Sequence, residues 1–254
     1  MAGFRSGIAA AVLCLLMPGA RRGWTWRTLL IGLAYAATLI LFVLANKSTT
    51  SANAIFLQST APLYLLLLGP LVLHEPIRKV DLAVISAVAA GAILLLFGTE
   101  ATAATAPNPG RGNVLGVVSG ATWALTLTGL RWLGKRSANN DSGAATVIAG
   151  NFIAFVVCLP MAIQGVHASP IDIAVLLYLG IFQIALAYAL LTRSMREVPG
   201  LEAATLLLIE PVFNPIWTWI VHGERPGILA LIGGALIIGA ALAGTVWQAR
   251  RTSA

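Results

Sequence analysis

Charge is scarce in this chain. Only 10% of its 254 residues are charged, and nine acidic residues stand against 16 basic ones. A soluble domain carries about 25% charged residues, so this chain could not cover a water-facing surface. Cysteine occurs twice. Cys14 and Cys158 both lie in apolar runs and imply neither a disulfide framework nor a metal motif. Hydrolytic signatures are absent: there is no Gly-x-Ser-x-Gly and no His-Glu-x-x-His, and His74, His167 and His222 fall at the ends of apolar runs. Gly129, Gly134 and Lys135 have P-loop spacing, but Arg136 stands where a Ser or Thr would hold magnesium, and no strand precedes them. No cofactor and no metal site are expected, and an enzyme is not. The basic residues sit in short clusters between apolar runs rather than on one face, which argues against nucleic acid.

Apolar sequence is what the chain has in abundance. Hydrophobic residues make up 58% of it, with a mean hydropathy of +0.88. A bilayer-crossing helix needs about 20 mostly apolar residues. The sequence predicts nine such spans: 4–17, 28–45, 52–73, 82–97, 114–130, 143–163, 171–191, 201–221 and 227–247. The expected fold is therefore an all-α, polytopic helical bundle in a lipid bilayer. Loop charge orients it. Arg21, Arg22, Arg27, Arg78, Lys79, Arg131, Lys135, Arg136, Arg193, Arg196, Arg250 and Arg251 follow alternate spans. The opposite loops hold only Lys47, Arg111 and Arg225, and Arg5 is counted as preceding the first span. The C-terminus is thus expected in the cytoplasm. Nine crossings would leave the N-terminus outside, and the first span is short. A cleaved signal peptide ending near Pro18-Gly19-Ala20 is one alternative; a missing preceding helix is the preferred expectation.

An internal repeat is present. Ala54 and Ala203, Pro62 and Pro211, and Glu75 and Glu224 are each separated by 149 residues. Each copy is followed by small residues at every fourth position, Ala83, Ala87 and Gly91 in one and Ala235, Gly239 and Ala243 in the other. Such stripes pack closely within a protomer or form a homodimer face; the sequence does not choose. The Glu75 loop is expected inside and the Glu224 loop outside, so the halves are inverted. Inverted halves are the architecture of many secondary transporters, with the solute site near the bilayer midplane. The expected halves are residues 1–98, with four helices, and 114–249, with five, joined by a loop over 99–113.

Of the nine acidic residues, only Glu210 falls at the centre of a predicted span. A carboxyl group there costs about 2.5–3.5 kcal/mol on insertion scales, and such residues usually face a cavity or a partner. Pro211 beside it removes a backbone hydrogen bond and breaks the ladder, as Pro62 does in the first half. Glu210 is a candidate amine contact or proton-coupling site, against the alternative of a protonated carboxyl that only packs. Asn214 follows one turn later on the same face. Gln58, Asn151, Trp123 and Tyr188 complete the candidate substrate-binding set, and Tyr64, Thr126 and Gln183 are further mid-span polar residues. Each polar side chain could equally be interhelical glue worth about 0.6 kcal/mol. Glu75 and Glu224, beside Pro76 and Pro226, read as helix caps or as gating residues. Trp24, Trp26, Trp132 and Trp247 read as interface anchors.

Leu57-Gln-Ser-Thr-Ala-Pro-Leu63 with His74-Glu-Pro76, and Leu208-Ile-Glu-Pro-Val-Phe-Asn-Pro-Ile216 with Gly223-Glu-Arg-Pro226, resemble the paired motifs of EamA-type members of the drug/metabolite transporter superfamily. The resemblance covers essentially the whole chain. It implies ten helices in two inverted five-helix halves, so that the spans here would be the second to tenth. It also implies a transporter, commonly an exporter, of small organic solutes in a bacterial plasma membrane. The alternative from a different class is a non-transporting membrane scaffold.

Overall fold

The computed structural model describes residues 2–73, 79–97, 106–136, 141–163, 169–194, 209–223 and 227–252. These residues are predominantly helical, with short turns between the helices and no strand among them. In chain order the helices are α1 (Ala2–Leu16), a 3-10 turn (Pro18–Arg22), α2 (Trp26–Asn46), α3 (Ser51–Gln58), α4 (Ala61–Leu68), a π turn (Gly69–Leu73), α5 (Lys79–Phe97), α6 (Pro109–Arg136), α7 (Asp141–Ile163), α8 (Pro170–Tyr178), a π segment (Leu179–Leu186), α9 (Ala187–Ser194), α10 (Ile209–His222) and α11 (Ile228–Thr252).

Four stretches are long and apolar enough to cross a bilayer: Trp26–Asn46, Pro109–Gly134, Ser142–Pro160 and Pro170–Leu190. Their outer faces are apolar. Leu29, Leu33, Val118, Phe152, Val156 and Phe182 are exposed. Exposed apolar surface on this scale suits lipid, not water. The chain is an integral, multi-pass membrane protein.

The starts of several helices follow from local chemistry. Asn108 accepts a hydrogen bond from the Arg111 amide at 3.1 Å, and Pro109 takes the first helical position. This cap starts α6 at Pro109, five residues before the predicted span. Ser169 and Asp172 form a capping box at α8, with the Asp172 amide bonded to Ser169 Oγ at 3.2 Å and the Ser169 amide to Asp172 Oδ2 at 3.0 Å. The span predicted as continuous over 52–73 is broken at Ser59 and Thr60. Pro62 has no N–H to offer the Gln58 carbonyl. The hydroxyls of Ser59 and Thr60 turn back onto the carbonyls of Ile55 and Leu57, at 2.8 and 2.6 Å.

Contacts divide the chain into two compact units. The first is Met1–Ile40 with Leu125–Glu197; the second is Leu41–Ala124 with Val198–Ala254. Each unit therefore draws helices from both sequence halves. In the first unit α1 lies against α7 and the π segment. Glycines bring the backbones together. A Cβ on Gly3 or Gly7 would lie 2.9 Å from Cys158 Cβ or 2.7 Å from Phe155 Cδ2, and one on Gly150 would lie 2.7 Å from the Gly32 carbonyl oxygen. In the second unit α11 crosses α5, α3 lies against both, and α10 lies against α3. Its core is Ile55, Phe56, Leu57, Val88, Leu95 and Ile237.

The small-residue stripes are used unequally. Gly91 meets Gly233 at the α5–α11 crossing, where a Cβ on either would lie 2.6–2.7 Å from the other's carbonyl oxygen. Ala235, Gly239 and Ala243 lie instead on the exposed side of α11. The stripe that packs there runs through Gly233, Ile237 and Ala240, because these share the face turned to α5.

Candidate solute sites

The second unit holds four of the predicted site residues. Glu210 and Asn214 lie one turn apart on α10. The Glu210 side chain is exposed, in a helix otherwise rich in Val, Phe, Ile and Trp. Asn214 is half-buried and its Nδ2 donates to the Ser51 carbonyl at 3.5 Å, tying this face of α10 to the start of α3. At the other end of α3, Gln58 Nε2 donates to Ser119 Oγ on α6 at 3.0 Å. Trp123 lies one turn beyond Ser119 on the same face of α6 and is half-buried. Gly120 lets α6 approach the broken helix: a Cβ there would lie 3.0 Å from the carbonyl oxygens of both Leu57 and Gln58. Tyr64 OH reaches the Val117 carbonyl at 3.4 Å. Residues 203–208, Glu75 and Glu224 lie outside the described residues, while Pro62 and Pro211 fall in the first turns of α4 and α10.

The other two predicted residues, Asn151 on α7 and Tyr188 on α9, belong to the first unit. They meet at a residue the sequence did not single out. The Tyr35 ring on α2 lies edge-on to Tyr188 at 5.3 Å between centroids. Its hydroxyl stands within reach of Tyr188 and Asn151 and near Arg5, without a hydrogen bond of good geometry to any of them. Asn151 Nδ2 is taken by the Val147 carbonyl at 3.0 Å, leaving Oδ1 without a partner. Arg5 Nη1 donates to Gln183 Oε1 at 3.3 Å, whereas Arg5 Nε is buried without a partner, as is Ser6 Oγ.

Arg5 is the main correction to the sequence reading. It does not precede the first span; it lies inside α1, one turn from its start. The neighbours fix its depth. Tyr35, Asn151 and Gln183 fall near the middles of Trp26–Asn46, Ser142–Pro160 and Pro170–Leu190. The guanidinium is therefore held at mid-span depth. The available signal is a cation at the second position of the predicted span 4–17, which loop counting assigns to the N-terminal flank.

Comparison with known proteins identifies the family. Residues 1–97 and 110–245 match the model of the EamA-like transporter family. The chain belongs to that family. A relative from Archaeoglobus fulgidus, described as an uncharacterized transporter, is 27% identical over 207 residues, covering 77% of this chain and 67% of the relative. The pseudopaline exporter CntI of Pseudomonas aeruginosa is 26% identical over 248 residues, covering 94% of this chain and 83% of the exporter. A solved crystal structure superposes with a TM-score of 0.62 at 18% identity, over all of this chain and 88% of the other. At that identity the superposition speaks for the fold. This EamA-like protein is a membrane transporter, and its partners are a small-molecule solute and the lipid bilayer.

Proposed function

We propose that this EamA-like protein is a secondary exporter of small organic metabolites or drugs, working by alternating access around a midplane cavity that contains Glu210. The observation that carries the reading is Glu210 itself, an accessible carboxyl group in an apolar helix whose next turn, at Asn214, is tied to α3. Intramembrane carboxyl groups ordinarily face solute or a partner. Discontinuous helices at the midplane are a recurrent feature of secondary transporters, and the break at Ser59–Thr60 supplies one. The two sequence halves, 1–98 and 114–249, form the inverted repeat. Within the second unit, Gln58 and Trp123 line the same solute path as Glu210 in this reading. The protein resides in a bacterial plasma membrane with its C-terminus in the cytoplasm, in keeping with the loop charges.

Proton coupling follows if Glu210 is ionised in one access state and protonated in the other. The test is solute flux in proteoliposomes across a chemically mixed panel, for the wild type and Glu210→Gln, at several pH values. The expected result is saturable, pH-dependent flux that Glu210→Gln abolishes. Flux indifferent to both pH and the substitution would remove the coupling role. Absence of saturable flux for every solute would favour a non-transporting scaffold.

A further inference from the structure

The first unit concentrates polar groups that its own fold leaves unused. Arg5 Nε, Ser6 Oγ, Tyr35 OH and Asn151 Oδ1 are all buried without a protein partner. Ser6, Tyr35 and Asn151 are at most 1% exposed. Buried polar atoms of native proteins are overwhelmingly paired, so these orphans, on three helices of one unit, need an explanation. Arg5 sharpens the question. Among the described residues no carboxylate pairs with it, and its one hydrogen bond is the 3.3 Å contact to Gln183. A guanidinium at mid-span depth is costly unless it faces a cavity or meets an anion.

The surrounding backbone is shaped to hold this cluster. The π segment Leu179–Leu186 interrupts the α8–α9 helix and carries Gln183. Single π turns inside helices recur at functional sites. Gly180 lets that segment press onto α1 beside Arg5: a Cβ there would lie 2.7 Å from Ile8 Cγ2 and 3.0 Å from the Arg5 carbonyl oxygen. Gly150 does the same for Tyr35, since its Cβ would lie 2.5 Å from Tyr35 Cδ1. The free groups are donors at Arg5 Nε, Tyr35 OH and Ser6 Oγ, with one acceptor at Asn151 Oδ1. Planar guanidinium geometry matches a carboxylate.

We propose that Arg5, Tyr35, Ser6, Asn151 and Gln183 form a binding site for the carboxylate group of an organic solute. Arg5 supplies the charge and Tyr35 a second donor, while Gln183 steers the guanidinium. The assignment rests on the transporter reading for its biological role, but the binding itself is tested separately.

The test is equilibrium binding to the purified full-length chain in detergent. The probes are radiolabelled benzoate, succinate, citrate and glutamate, with benzamide and succinamide as uncharged controls. The wild type should bind at least one carboxylate and neither amide. Arg5→Gln should weaken that binding by on the order of tenfold to a hundredfold, the range for hydrogen bonds to a charged group. Should Arg5→Gln fail to fold, Arg5→Lys and Tyr35→Phe retain bulk and most packing; each should weaken carboxylate binding by roughly tenfold or less. No carboxylate binding by the wild type, equal binding of acids and amides, or affinity unchanged by all these substitutions would each overturn the site. Arg5-dependent binding in a protein that moves no solute would instead uphold the site and remove the transport reading.

Discussion

In the second unit the buried amides mostly find partners in the protein. Asn113 joins three elements: its Oδ1 accepts from Thr49 Oγ1 at 2.8 Å and Asn53 Nδ2 at 3.5 Å, and its Nδ2 donates to the Leu95 carbonyl at 3.1 Å. Gln58 is bonded to Ser119 and Asn214 to Ser51. In the first unit Arg5, Ser6, Tyr35 and Asn151 each keep a buried polar atom unpaired. Both units use the same close-packing device, glycine against backbone, so looseness of packing does not account for the contrast. Polar groups in the second unit mostly hold helices together, with Asn53 Oδ1 left unpaired and the Glu210 carboxyl exposed. Those in the first unit surround a cation and stay available. The lesson is that polar content alone does not distinguish glue from site in a membrane bundle; satisfaction of hydrogen bonds does.

Substitutions can break or sharpen that contrast. The largest effect is expected from Glu210→Gln, which should remove most saturable flux and its pH dependence while leaving the thermal unfolding of the detergent-solubilised protein close to wild type. Next come the glycine crossings. Gly150→Val and Gly91→Val each push a branched side chain into a backbone contact and should destabilise by about 1–3 kcal/mol, read as a lower unfolding temperature. Only Gly150→Val should also weaken carboxylate binding, because only it displaces Tyr35. Asn113→Ala removes three hydrogen bonds at about 0.6 kcal/mol each, or about 2 kcal/mol in all, and should leave carboxylate affinity unchanged. Gln58→Leu is the smallest, costing about 0.6 kcal/mol if its bond to Ser119 is ordinary glue. A loss of flux far out of proportion to that cost would move Gln58 from glue to solute contact.

Much of the fold was legible in the sequence because bilayer length and apolar runs constrain helices strongly. The ranges 28–45, 143–163 and 171–191 lie within or close to the observed helical stretches. The break after Gln58 was signalled by Pro62, whose missing donor frees a carbonyl. The early start of α6 is hidden in the sequence because Arg111 and Asn113 have loop character, although Asn108 and Pro109 form a standard cap ahead of them. Which small-residue stripe of α11 packs within the protomer is not legible in the sequence. Two registers, one through Gly233 and one through Ala235, satisfy the every-fourth-residue rule, and only packing against α5 selects between them. Asn151 and Tyr188 were named on polarity alone, and the structure joins both through Tyr35. Tyr35 itself was passed over because a tyrosine in an apolar run reads as packing until its hydroxyl is seen without a partner. Arg5 was misplaced for a related reason: distance along the chain from the N-terminus says little about depth when neighbouring helices run past it.

The most direct test of the account is flux of a matched acid and amide, benzoate and benzamide or succinate and succinamide, into proteoliposomes bearing wild type, Arg5→Gln or Glu210→Gln. The account predicts saturable, pH-dependent flux of at least one acid over its amide, with Arg5→Gln erasing the preference and Glu210→Gln erasing the flux. Saturable flux that treats acid and amide alike, and that survives both substitutions, would contradict it.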